Sequence, residues 1–130
     1  MIDGLDKMMQ FQTDALRLRS YRQELLSANI ANADTPNYKA VDFDFGQALQ
    51  TAKNAAASGN PGGNPGSGSA GVNGDAPTLL YRSPAQSSLD GNSVEMDAER
   101  AKFADNTVRY EAAMHVLTAQ IKTMLAALQT

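Results

Sequence analysis

The sequence predicts an all-α fold: two long terminal helices pairing as an antiparallel coiled coil, with a short β/turn element and a flexible Gly-rich excursion between them. Three observations carry that expectation. A heptad seam runs through the C-terminal arm, a second seam runs through the N-terminal arm, and a glycine-rich stretch keeps them apart. At 130 residues the chain makes at most one domain.

The C-terminal seam is the stronger. Phe103, Thr107, Tyr110, Met114, Leu117, Ile121, Met124 and Leu128 are spaced 4-3-4-3-4-3-4, the a/d period that keeps one helix face apolar along a supercoil. Asp97 is the expected N-cap, and Glu95 and Glu99 put negative charge near the positive end of the helix dipole. A helix from Asp97 to Leu128 measures roughly 48 Å at about 1.5 Å per residue.

The N-terminal arm answers it. Met8, Phe11, Ala15, Leu18 and Leu25 repeat at 3-4-3-7, Arg22 interrupts the seam, and Leu16, Leu26 and Ile30 widen the face. From Leu5 to Asp34 this helix measures roughly 45 Å. Matched lengths and the long connection favour antiparallel pairing. So thin a pair has little apolar surface to set against its ordering entropy, so the isolated hairpin is expected to be marginal, with neighbours supplying burial.

Between the arms, "SGNPGGNPGSGSAGVNG" (58–74) holds seven of the ten glycines, two of the five prolines and one aliphatic residue larger than alanine, Val72. That composition predicts a flexible excursion. The expected organisation is a helical arm over 1–36, a strand/turn segment over 37–52, a Gly/Asn/Pro/Ser-rich loop over 53–78, a turn segment over 79–96 and a coiled-coil helix over 97–130.

The densest information lies in "SANIANADTPNYKAVDFDF" (27–45). Asn29 and Asn32 continue the Met8–Leu25 seam at the next a and d positions, where amides cost stability but fix register and partner choice. Their simpler explanation is that Asn and Asp collect near helix ends. Pro36 disfavours helical geometry at Thr35, which ends the helix near Asp34, and Pro36-Asn37 suits the centre of a tight turn. Val41, Phe43 and Phe45 then alternate with Asp42 and Asp44 as in a short strand with a solvated acidic face. Asp90-Gly91 marks a turn before the second helix.

Catalytic patterns are missing. The chain has no cysteine and one histidine, which removes thiol nucleophiles, Cys-type zinc sites and most His-based metal sites. "DGNSVEMDAERA" from Asp90 lacks the glycine and glutamate that a calcium loop needs, and the glycine-rich middle has no phosphate-loop lysine. No catalytic, cofactor-binding or metal-binding residue, and no small-molecule substrate, is expected. A net charge of −3, from 11 Lys and Arg against 14 Asp and Glu, argues against nucleic acid. Arg17, Arg19 and Arg22 form the only basic cluster and read first as a solvated or salt-bridged helix face; His115 reads as a surface residue. The N-terminus lacks the basic and apolar regions of a cleavable signal, and no run approaches the ~20 apolar residues of a membrane span.

"SANIANADTPNYKAVDFDF" closely resembles the signature after the N-terminal helix of flagellar rod and hook proteins, and "DGNSVEMDAERAKFADNTVRYEAAMHVL" with "IKTMLAALQ" is similar to that family's C-terminal arm. The resemblance spans about residues 5 to 50 and 88 to 128, in order and spacing. It implies a non-enzymatic structural subunit of the proximal rod, exported unfolded by the flagellar type III apparatus without a cleavable signal peptide. Such a subunit polymerises through its terminal helices in the periplasmic basal body. Implied partners are copies of itself, the second proximal rod protein, the FliE junction protein and the MS ring or export gate. The interface expected from seam and resemblance together is Leu18, Leu25, Asn29, Asn32, Pro36, Tyr38, Phe103, Tyr110, Met114, Leu117, Ile121, Met124 and Leu128. The alternatives are a soluble cytoplasmic coiled-coil adaptor or export chaperone, and an amphipathic membrane-surface helix using the three arginines.

Overall fold

The computed structural model describes residues 2–57, 80–81, 89 and 91–129. In chain order its elements are α1 (Ile2–Ala31), β1 (Val41–Asp42), α2 (Phe45–Ala57), β2 (Leu80–Tyr81) and α3 (Met96–Leu128). The two terminal helices, about 45 and 50 Å long by their residue counts, pack along each other. Their direction follows from their cross-bonds: Gln23 donates to Thr107 at 2.7 Å, while Asn29 donates to Glu99 at 3.2 Å. Partners descend on α3 as they ascend on α1. The pairing is antiparallel, as the sequence predicts.

Both helix ends differ from the sequence boundaries by a turn or less. α1 stops at Ala31 rather than near Asp34. There the Asn32 side chain turns back to the Ala28 carbonyl at 2.8 Å, offering the backbone an alternative partner. α3 starts at Met96 with Glu95 as the N-cap, an extended residue making no side-chain cap bond, so Asp97 and Glu99 fall in the first turn and still favour the helix dipole.

The segment 37–52 departs most from expectation. Only Val41 and Asp42 are strand, paired antiparallel with Tyr81 and Leu80. Phe45 is not the last residue of a strand but the first of a third helix. The cause is local: the Asp44 carboxylate accepts the Gln47 N–H at 3.1 Å and its carbonyl accepts the Ala48 N–H at 3.0 Å, an N-cap where alternation alone suggests an exposed strand position. α2 reaches Ala57, so the expected 53–78 loop begins inside a helix; the rest of that excursion, 58–78, lies outside the described residues.

The core is small and sits at one end of the hairpin. Among the described residues Ala15, Leu18, Leu26, Ala40 and Phe43 are the buried hydrophobic ones. Tyr21 stacks on Phe43 with ring centroids 5.7 Å apart, and the Arg19 guanidinium lies 4.0 Å over the Phe45 ring. The start of α2 is thereby held against α1 by two aromatic contacts.

Candidate functional site

The joint where α1 ends is built almost entirely from polar side chains caught on backbone. Thr35 to Tyr38 forms the turn expected around Pro36, closed by Tyr38 N–H to the Thr35 carbonyl at 3.3 Å, with Asn37 at φ 61°. Asparagine tolerates that left-handed position better than most residues. Facing it, Gly91 stands at φ 76°, and a Cβ there would lie 2.5 Å from Asn37 Oδ1. Only glycine meets both demands.

Asn92 ties the two together. Its buried amide donates to the carbonyls of Asn32, Ala33 and Thr35 at 3.0, 2.8 and 2.8 Å, while its Oδ1 accepts the Val94 N–H at 2.7 Å. The carbonyls of the turn that follows α1 are thus met from a residue 57 to 60 positions away. Ser93 completes the clip, its N–H donating to the Tyr38 carbonyl at 2.9 Å and its Oγ accepting the Ala40 N–H at 2.7 Å.

Asn29 is the second hub. It is fully buried, donates to the Val41 carbonyl at 2.9 Å and to Glu99 Oε2, and accepts from Val41 N–H at 3.1 Å and from the Tyr38 hydroxyl at 3.4 Å. It therefore anchors strand and opposite helix at once. Asn32, expected beside it as a seam amide, points elsewhere: among the described residues its side chain bonds only Ala28 and Thr35, and its contribution to the joint is its carbonyl. Pro36 is exposed.

Arg22, which interrupts the apolar seam, donates twice to Asp42, at 3.1 and 3.2 Å. The expectation that Asp42 belongs to a solvated face is therefore corrected. Its side chain is 15% exposed and held bidentately, because a guanidinium in the seam needs a carboxylate within reach. Burial pushes the Arg19 guanidinium below its ordinary pKa, reinforced by Arg109 and Arg22 and opposed by Asp105. With Arg17 near Asp14 at 4.0 Å, the basic cluster is largely engaged within the chain.

On α3 the face turned to α1 is rotated by one position from the predicted seam. Phe103, Tyr110, Leu117 and Met124 lie half-buried along it, as does Thr107. Met114, Ile121 and Leu128 do not: they are 47, 37 and 83% exposed. The inner positions are the residues one before them in the heptad. Glu99 and Asn106 are fully buried, and Ala113 and Gln120 half-buried. Asn106 donates to the Arg19 carbonyl at 2.9 Å and to Gln23 Oε1 at 2.7 Å. On α1, Leu18 is buried and Leu25 half-buried. Sequence reasoning missed Gln23, Asn92, Ser93, Glu99 and Asn106. For Glu99 and Asn106 the available signal was their seven-residue spacing on one helix, obscured because polar residues do not register as a seam; Asn92 precedes α3 and offers no periodic signal.

Among the described residues no group of side chains could hold a metal ion, and no helix is long and apolar enough to cross a membrane. His115 is exposed on α3. The geometry offers packing faces and a joint.

Residues 9–39, covering most of α1 and the turn, match the family described as Flagella basal body rod protein. Over nearly the whole chain the sequence is similar to proteins named Flagellar basal body rod protein FlgB. The one from Salmonella typhimurium is 44% identical over 135 residues, covering 99% of this chain and 98% of that protein. The one from Escherichia coli (strain K12) is 42% identical over 139 residues, covering 100% and 99%. The one from Cereibacter sphaeroides is 39% identical over 127 residues, covering 97% of each.

Proposed function

The chain belongs to the FlgB family of flagellar basal body rod proteins and is a structural subunit of that rod, and we propose that it polymerises through its paired terminal helices. One observation carries the proposal. Because the inner face of α3 is rotated, Met114, Ile121, Leu125 and Leu128 form a second apolar stripe that α1 leaves exposed. Leu5, Met8 and Phe11, near the same end of the hairpin on α1, are also more than a third exposed. Apolar surface on both arms at one end suits a helix from a neighbouring subunit laid alongside.

The neighbours in this reading are copies of the chain, the second proximal rod protein, the FliE junction protein and the MS ring or export gate beneath. The interface comprises the exposed a-position residues together with Leu25, Pro36 and Tyr38 at the joint. A hairpin with so few buried apolar side chains suits export in an unfolded state through the type III apparatus, with folding completed on stacking in the periplasm. Nothing in this reading requires catalysis or a cofactor.

The test is co-purification. An epitope-tagged chain expressed in place of the resident rod protein should be recovered with detergent-extracted basal bodies and restore swimming. Recovery in the cytosol alone, with swimming absent, would favour the adaptor or chaperone and end the proposal.

A further inference from the structure

We infer that Asn92, Glu99 and Asn106 form a register key that fixes the lengthwise offset of α3 against α1. Glu99 and Asn106 lie one heptad apart on α3, about 10 Å along the helix, Asn92 lies in the 91–95 segment that leads into it, and all three are 5% exposed or less. Each grips a different level of α1 and its end: Asn92 the carbonyls of 32, 33 and 35, Glu99 the Asn29 amide, Asn106 the Arg19 carbonyl and the Gln23 side chain. Beside the last rung, Gln23 also donates to Thr107.

Apolar side chains do not discriminate well between offsets, because one leucine packs on another in any heptad frame. Hydrogen bonds do discriminate, since donor must meet acceptor at one level. A slip of one heptad in either direction replaces Gln23 by Leu16 or Ile30 and Asn29 by Arg22 or Pro36. Leu16 and Ile30 offer neither an acceptor to Asn106 nor a donor to Thr107. The Arg22 frame would even pair a cation with Glu99, so that rung alone does not forbid the slip. The Asn106 rung does.

A further detail argues for discrimination over stabilisation. Asn106 Oδ1 is buried and accepts no hydrogen bond among the described residues, so the rung is not arranged for maximal strength. The spacing continues to Ala113 and Gln120, and the Gln120 Oε1 is likewise buried without a partner among the described residues. The key thus occupies the joint half of the hairpin alone.

The chain has no cysteine, so labels report without background. Gln10 and Arg100 are exposed, and nitroxides on Gln10→Cys and Arg100→Cys give an inter-arm distance by pulsed electron resonance. The measurement uses the full-length chain with trimethylamine N-oxide to favour folding. The parent should give one narrow maximum. Asn106→Leu should add a second maximum displaced by about 10 Å, whereas Leu26→Ala, equally buried but without a polar role, should lower stability and keep a single maximum. The inference is overturned if Asn106→Leu shows only the parental distance. It is equally overturned if that variant loses any defined distance under conditions where Leu26→Ala retains one.

Discussion

The two ends of the hairpin obey one heptad pattern and come out differently. Toward the joint, Leu18, Leu26, Ala40 and Phe43 are buried and the polar groups Asn29, Asn92, Ser93 and Asn106 are buried and bonded. Toward the chain termini, Leu5, Met8, Phe11, Met114, Ile121, Leu125 and Leu128 all keep more than a third of their surface. The difference is one of supply. Among the described residues the joint half receives extra layers, from β1, α2 and the 91–95 segment, whereas the terminal half has only two helices, which together cannot cover each other's sides. A heptad pattern states which face is apolar; the number of neighbouring elements decides how much of it is covered.

The most severe way to break this comparison is in the joint half. Leu26→Ala removes a fully buried side chain and should cost about 2–5 kcal/mol, read as a lower urea midpoint for the purified chain. A midpoint unchanged within error would mean that this end is not the stable one. Gly91→Ala should come next, at about 1–3 kcal/mol from a strained positive φ plus a clash with Asn37. Pairing it with Asn37→Gly should recover part of the loss by removing the clashing amide.

These residues also mark how much was legible beforehand. The antiparallel helical arms and the turn at Pro36-Asn37 were visible because each leaves a local trace, periodicity and a proline; the phase of Asn29 left two explanations open, a seam amide or a helix-end asparagine. The capture of the turn after α1 by Asn92 left none, since its partners are backbone carbonyls some 57 to 60 residues earlier. The rotation of α3 was hidden for another reason. Its inner face is occupied by Glu99, Asn106 and Gln120, and a search for hydrophobic period selects the neighbouring stripe. The third helix was lost because an N-capping Asp44 and a solvated strand aspartate look the same in "DFDF".

In the terminal half the same kind of change should be almost silent in the isolated chain. Leu125→Asp, at a site 53% exposed, should alter stability by less than about 0.5 kcal/mol yet reduce swimming and basal-body incorporation strongly. Full motility in a strain carrying only this variant would remove the stripe from the interface. The smallest effect belongs to Asp14, whose carboxyl burial pushes above 3.8, with Arg17 opposing. The folded chain holds that proton more tightly than the unfolded one, so the group's contribution is fully present below 3.8 and is lost as pH rises through the elevated folded value. Asp14→Asn should accordingly raise the melting midpoint slightly at pH 7 and leave it unchanged below that window; a pH-independent difference would place the effect outside this carboxyl.

The amide of Asn92 has a consequence in time. A ribosome makes residues 32, 33 and 35 long before it makes residue 92, and any conduit that passes the chain N-terminus first delivers them in the same sequence. The turn after α1 therefore spends that interval without the amide that later clips it, held by its own backbone bonds alone. Its closure is a signal of completeness: the turn is clipped only when nearly three quarters of the chain has arrived, so a copy truncated before that point cannot present a finished joint.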